Sequence, residues 1–103
     1  MRDALKGHVD LLLLSVLERG PAHGYALVDS LRASSSGEFD LAEGTLYPAL
    51  YRLERKDLVA SSWEVVAGRR RRVYRLTRRG RDALPQKRSE WRHFVAAVES
   101  VVG

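Results

Sequence analysis

Between Arg69 and Arg81 the chain carries eight arginines and no acidic residue. A guanidinium keeps its charge at any physiological pH and presents a planar fork of N–H donors, the geometry that phosphate oxygens accept best. The bias is regional. Residues 1–64 carry a net charge of −3 and residues 65–103 a net of +8, within a total of +5. A charge run is often only a solvated face, but 15 of the 18 basic residues are arginine, and the concentration marks an anion-seeking patch.

Other chemistries find less support. His8, His23 and His93 are scattered without metal-ligand spacing, and the carboxylates offer no paired set, so no metal or other cofactor is expected. The absence of cysteine excludes disulfides, thiolate zinc sites, iron–sulfur clusters and cysteine nucleophiles. Ser34, Ser35 and Ser36 have neither a neighbouring base nor a glycine-rich phosphate pattern, and read as a loop. Nothing in the sequence points to catalysis.

A chain of 103 residues with 45% hydrophobic and 30% charged residues makes one domain with one modest core. Its longest apolar stretch, Leu11 to Leu14 with Val16 and Leu17, falls far short of the ~20 residues of a membrane span. Asp3, His8 and Asp10 break up the N-terminus, which lacks a signal-peptide layout, so the expectation is a cytoplasmic protein without membrane contact.

The elements that must position the arginines follow from periodicity. Residues 4–19 read as a helix, with Val9, Leu12, Leu13, Val16 and Leu17 on one face and Leu11 and Leu14 as a second apolar flank. A helix apolar around most of its girth needs cover on two sides, and the second flank hints at a partner subunit. Gly20-Pro21 ends it. A second helix spans His23 to Ala33, with His23 at its start in a capping position.

A third helix begins near Ala42 or Thr45 and runs to Lys56, burying Leu46, Ala49, Leu50 and Leu53. Its polar face carries Gly44, Thr45, Pro48, Tyr51, Arg52 and Arg55, with Tyr47 at the border. Pro48 favours a start at Thr45, whose hydroxyl would cap the free amides. From Val59 the period becomes two, and Val59–Val66 and Val73–Leu76 around Ala67-Gly68 read as a β-hairpin whose tip holds Arg69 to Arg72. Thr77 caps a last helix, which Pro85 should kink or split near Leu84. Its Trp91, Val95, Val98 and Val102 recur at the spacing of an interhelical seam.

Three helices followed by a basic hairpin is the order of a winged helix-turn-helix: mainly α with a small β-hairpin, plus a C-terminal dimerisation helix. Such a fold offers a convex helix to the major groove and a hairpin to the neighbouring phosphates. The expected division is residues 1–77 for DNA binding and 78–103 for dimerisation against helix 4–19 of the partner.

Gly20-Pro21-Ala22-His23-Gly24-Tyr25 after Leu11 to Leu14, and Glu43-Gly44-Thr45-Leu46-Tyr47-Pro48-Ala49-Leu50, resemble the opening and the recognition-helix signature of the PadR-type transcriptional regulators. The arginine-rich wing, Tyr74-Arg75-Leu76-Thr77, Gly80 and Trp91 match the same layout over residues 8–98. The resemblance implies a homodimeric repressor acting on a double-stranded operator, of the short kind with a single C-terminal helix, released by small planar or phenolic effectors. It places Thr45, Tyr47 and Pro48 at the DNA-facing start of the recognition helix, Arg69, Arg70, Arg71 and Arg72 in the wing, and Trp91 in the dimer interface. Two departures stand out: Ala42 where a capping serine is frequent, and Pro85 inside a helix that is usually continuous.

From their place on the polar helix face, Tyr51 and Arg52 are added to the DNA-contacting set. Tyr47 is balanced between core packing and phosphate contact. Trp91 and Phe94, with Val95 and Val98, form either plain dimer core or a slot for a flat ligand completed by Val9, Leu12 or Val16. The competing functions are a constitutive repressor without ligand, a winged-helix protein–protein adaptor, and a small RNA-binding protein. The arginine run disfavours the adaptor. The RNA reading lacks paired aromatics exposed on a sheet face.

Overall fold

A computed structural model describes the backbone of residues 2–103 and the side chains from His8 onward. Seven elements follow in order: α1 (Arg2–Glu18), β1 (Ala22–His23), α2 (Gly24–Ser34), α3 (Glu43–Arg55), β2 (Val59–Val66), β3 (Arg69–Leu76) and α4 (Arg78–Val102). Helix, hairpin and final helix thus arrive in the expected order, giving a mainly helical fold with a small antiparallel sheet.

The strong apolar character of α1 has an intramolecular cause. The helix is central, packed against α2, α3, α4 and β3 of its own chain. Val9, Leu13, Leu14 and Leu17 are fully buried there, and Val16 nearly so. The Leu14 flank therefore needs no partner subunit, contrary to the reading from periodicity. Leu11 and Leu12 are only partly covered. The stripe of α3 is buried as expected, with Leu46, Ala49, Leu50 and Leu53 almost without solvent contact.

The sheet has the order β1-β3-β2, so β3 is central. β1 is a two-residue strand, Ala22 opposite Tyr74 and His23 opposite Val73, too short to show in any periodicity. β2 and β3 pair along their whole lengths, from Val59 opposite Leu76 to Val66 opposite Arg69. Ala67 and Gly68 alone make the turn, both with positive φ (52° and 77°), as the right-handed twist of a two-residue hairpin requires. Arg69 to Arg72 consequently lie in β3 and not at the tip, which corrects the expected placement.

Two further boundaries differ. α3 starts at Glu43, with Ala42 in the cap position and no side-chain cap. Thr45 is the third helical residue and does not cap. Pro48 falls inside the helix, where the amide it lacks would have met the carbonyl of exposed Gly44, which water can satisfy. α4 is one helix through Pro85, with no split near Leu84. Pro85 and Arg81, four residues earlier, both face solvent, so the same argument applies.

α4 is docked by its first turns. Thr77 caps it by accepting the Gly80 N–H on its hydroxyl, donates that hydroxyl to the Asp57 carbonyl (2.6 Å), and donates its own amide N–H to the Leu58 carbonyl. Gly80 lies so close to Leu58 that a β-carbon would overlap the Leu58 carbonyl. Leu84 is buried, and Arg88 closes an ion pair with Glu18 of α1 (2.6 Å). Beyond that pair Trp91 and Phe94 still pack on His8 of α1, and from Ala96 onward the helix is exposed to solvent. Its 25 residues span ~37 Å, which accounts for overall extents of 51 × 28 × 21 Å.

Candidate nucleic-acid interface

α3 presents Thr45, Tyr47, Pro48, Tyr51 and Arg52 to solvent, each exposed, on the face opposite its buried stripe. Tyr51 accepts a hydrogen bond on its hydroxyl from Arg55 (3.2 Å), whose guanidinium also lies over the ring. Arg52 is engaged sideways, 3.3 Å from the Asp10 carboxylate of α1. Tyr47 stands between the buried stripe and solvent. Its ring is 44% exposed, yet its hydroxyl end packs directly on Gly24 at the start of α2.

The Gly24 contact explains why the glycine stands there. A β-carbon at that position would overlap the Tyr47 hydroxyl, so the two sequence motifs that lie some twenty residues apart meet in space. His23 starts α2 by accepting the Ala26 N–H on Nδ1 (3.4 Å).

Between the start of α2, the start of α3 and the hairpin lies a pocket of about 390 Å³, lined by His23, Gly24, Tyr25, Tyr47, Trp63, Arg70, Arg71, Arg72 and Tyr74. The register makes it. Trp63 stands directly across from Arg72, and the guanidinium of Arg70 lies 4.9 Å from the centre of the Trp63 ring, that of Arg72 5.9 Å. Arg71 lies over Tyr25 at 5.8 Å.

The four arginines are not equivalent. Arg72 is tied down, donating from Nε to Ser61 Oγ (2.8 Å) and lying 3.7 Å from Glu54. Among the described residues no carboxylate pairs with Arg69, Arg70 or Arg71. Arg75 is bound to Glu64. Burial pushes the Tyr74 phenol above its ordinary value, so it stays neutral on the pocket wall.

Tyr25 and Trp63, 64% and 56% exposed, belong to this site although sequence reasoning passed over both. Trp63 was recoverable. Assigning the turn to Ala67-Gly68 alone fixes the register and puts the indole opposite Arg72.

At the far end of the molecule α4 carries a second exposed group. Trp91, Phe94 and His8 pack together, with ring centres 4.6 Å (His8–Trp91), 5.9 Å (His8–Phe94) and 6.0 Å (Trp91–Phe94) apart. Val95 is partly covered, whereas Val98, Val101 and Val102 are open to solvent. Val9 and Val16 point into the subunit's own core, so Leu12 is the residue of α1's expected slot lining that keeps exposed surface. His8 stands where the lining was sought. The exposed candidate residues thus fall in two separate groups, the arginine pocket and α4.

Comparison with known proteins bears on the whole arrangement. The chain is 41% identical over 88 residues to Transcriptional regulator Rv3488 of Mycobacterium tuberculosis, covering 85% of this chain and 79% of that one. A transcriptional regulator from Clostridium thermocellum superposes with a TM-score of 0.90 at 31% identity, covering 98% of this chain and 99% of the other. A PadR family transcription regulator from Clostridium difficile superposes with a TM-score of 0.79 at 36% identity, covering 93% and 99%. No helix among the described residues is long and apolar enough to cross a membrane. Residues 13–86 match the Transcriptional regulator PadR-like family, a family of regulators and not of enzymes, and the chain belongs to it.

Proposed function

We propose that the chain is a homodimeric repressor that sets α3 in the major groove of an operator and the arginines of β3 on the adjoining backbone. Residues 1–77 bind DNA and residues 78–103 join the subunits. The observation that carries the reading is the shared pocket: Tyr47 from α3 and Arg70 to Arg72 from β3 line one cleft. A helix face for bases and a cationic strand for phosphates are thereby offered to a single duplex. Thr45, Pro48, Tyr51 and Arg52 extend the helix face, and Arg69 extends the strand. The uncovered Trp91, Phe94, Val98, Val101 and Val102 of α4 supply a twofold seam, whose apolar residues a partner would take out of water.

Release follows from the same seam. A planar aromatic effector stacked on Trp91 beside Phe94 and His8 would shift the angle between subunits and with it the spacing of the two α3 helices. A gel shift on the duplex upstream of the protein's own gene tests the reading, with random duplex as competitor and planar cations and phenols added in turn. Retarded operator that resists the competitor and is freed by an aromatic compound is expected. Trp91→Ala should keep the dimer, held by Val95, Val98 and Val102, and lose the response to effector. Absence of any preference over random duplex contradicts operator binding; a complex that no compound releases leaves a constitutive repressor.

A further inference from the structure

We propose that the cleft between α2 and the hairpin is a seat for one backbone phosphodiester of the duplex, in which Trp63 and Tyr25 hold the arginines that grip it. The inference deepens the DNA-binding reading and rests on it. Its basis is the division of labour among the arginines. Arg72 already donates from Nε to Ser61 and lies beside Glu54, so it is the least free of the three. Arg70 and Arg71 have no carboxylate partner among the described residues, yet neither hangs loose, because each lies over an aromatic face, Trp63 and Tyr25 respectively.

An arginine held over a ring by its cation–π attraction spends none of its N–H donors on that contact and keeps them for an anion. Stacking also removes rotamer freedom before binding, so less is lost when a phosphate arrives. The two aromatics are themselves mostly exposed, at 56% and 64%, and neither belongs to the buried core cluster. Their faces are employed instead in orienting cations toward one cavity.

The strand geometry explains why the cleft opens here. β1 ends at His23, opposite Val73, so β3 from Arg72 outward is paired only on its β2 side. That open edge faces the start of α2. Arg70 reaches the cleft from the sheet face that carries Trp63, and Arg71 reaches it around the open edge beside Tyr25. A cavity of about 390 Å³ lined by three arginines and four aromatic residues plus His23 suits an anion with a compact, uncharged neighbour, as a phosphodiester with its deoxyribose provides.

Salt dependence separates this from a simple count of charges. Each phosphate neutralised on duplex DNA adds about 0.9 to the slope of log affinity against log salt. Trp63→Ala removes no charge. If charge alone matters, the slope on a random 30-base-pair duplex stays at the wild-type value. The two seats of a dimer predict instead that the slope falls by about 1.8, about 0.9 for each seat, that Trp63→Phe restores it, and that Arg70→Ala in the Trp63→Ala background lowers it no further.

Trp63→Leu, which keeps apolar bulk without a π face, should behave like Trp63→Ala and guards against a variant that fails to fold. Arg72→Ala should change the slope less than Arg70→Ala or Arg71→Ala. A wild-type slope in both Trp63→Ala and Trp63→Leu overturns the seat while leaving DNA binding intact. Wild-type protein that binds neither random nor own-promoter duplex overturns both.

Discussion

The hydroxyl of Tyr47 fills the space that a β-carbon on Gly24 would occupy. Through this contact the recognition-helix motif and the Gly-Tyr motif of α2 fix each other's position, and the cleft between α2, α3 and the hairpin gets its floor. Gly24→Ala should therefore cost about 1–2 kcal/mol, as overpacking of a close contact does. In a Tyr47→Phe background the same change should cost less than about 1 kcal/mol, because the overlapping atom is gone. Urea denaturation of the four proteins measures the coupling; strict additivity would deny that the contact is tight.

Gly80 is a harder constraint, since the atom a β-carbon would meet is the Leu58 carbonyl and backbone cannot step aside. Gly80→Ala should destabilise by about 3 kcal/mol or more and undock the start of α4. Thr77→Ala, which removes the cap and the bond to Asp57, should cost about 1 kcal/mol, with Thr77→Ser largely restoring it. Thermal melts followed by circular dichroism would rank the three; a Gly80→Ala protein as stable as wild type contradicts the close approach.

The α1–α4 junction should respond to acid. Hydrogen bonding from Arg88 holds the Glu18 carboxyl below its ordinary value of 4.5. A carboxylate lowered in the folded state contributes stability fully above that ordinary value and loses it as pH falls through the folded one. Both side chains are partly exposed, so the contribution is small. Glu18→Gln should thus melt slightly below wild type above the ordinary carboxylate range, and the gap should close as pH falls through the lowered value of the folded state. A gap that widened in acid would contradict the pairing.

Arg52 must leave Asp10 to reach a base edge, since its guanidinium is 3.3 Å from that carboxylate in the free protein. Asp10→Ala should raise affinity for the operator, and the gain should vanish when Arg52→Ala is added. Arg52→Ala alone should lose about 1–3 kcal/mol of discrimination between operator and random duplex if the fork reads a base. Fluorescence anisotropy with both duplexes measures this, and equal losses on the two would make Arg52 a phosphate anchor.

Much of this architecture was legible because periodicity reports burial. The stripe Leu46, Ala49, Leu50, Leu53 and the alternation from Val59 reveal a helix and a hairpin in the right order, though not the start of α3 or the extent of β3. The pattern failed where neighbouring residues are alike. Four successive arginines have no visible alternation, so the strand through Arg69 to Arg72 looked like a loop, and its pairing with Trp63 was lost with it. Both prolines were read as boundaries, yet each sits where the missing amide faces solvent, a circumstance that depends on tertiary placement. Leu14 illustrates the converse. Its apolar flank suggested a second subunit, but α2, α3, α4 and β3 already surround α1. Tyr25 had no sequence signal beyond its place in the Gly-Tyr dipeptide, because Arg71 meets it only through the fold.

The central claim is that two chains, joined along the bare end of α4, present two α3 helices to one duplex. Sedimentation equilibrium of the protein with a duplex from upstream of its own gene tests it most directly, because it weighs the complex. Saturation at two chains per operator is expected, with Val98→Asp, which puts a charge into the seam, sedimenting as a monomer and binding far more weakly. One chain per operator at saturation, with Val98→Asp binding as tightly as wild type, would contradict it.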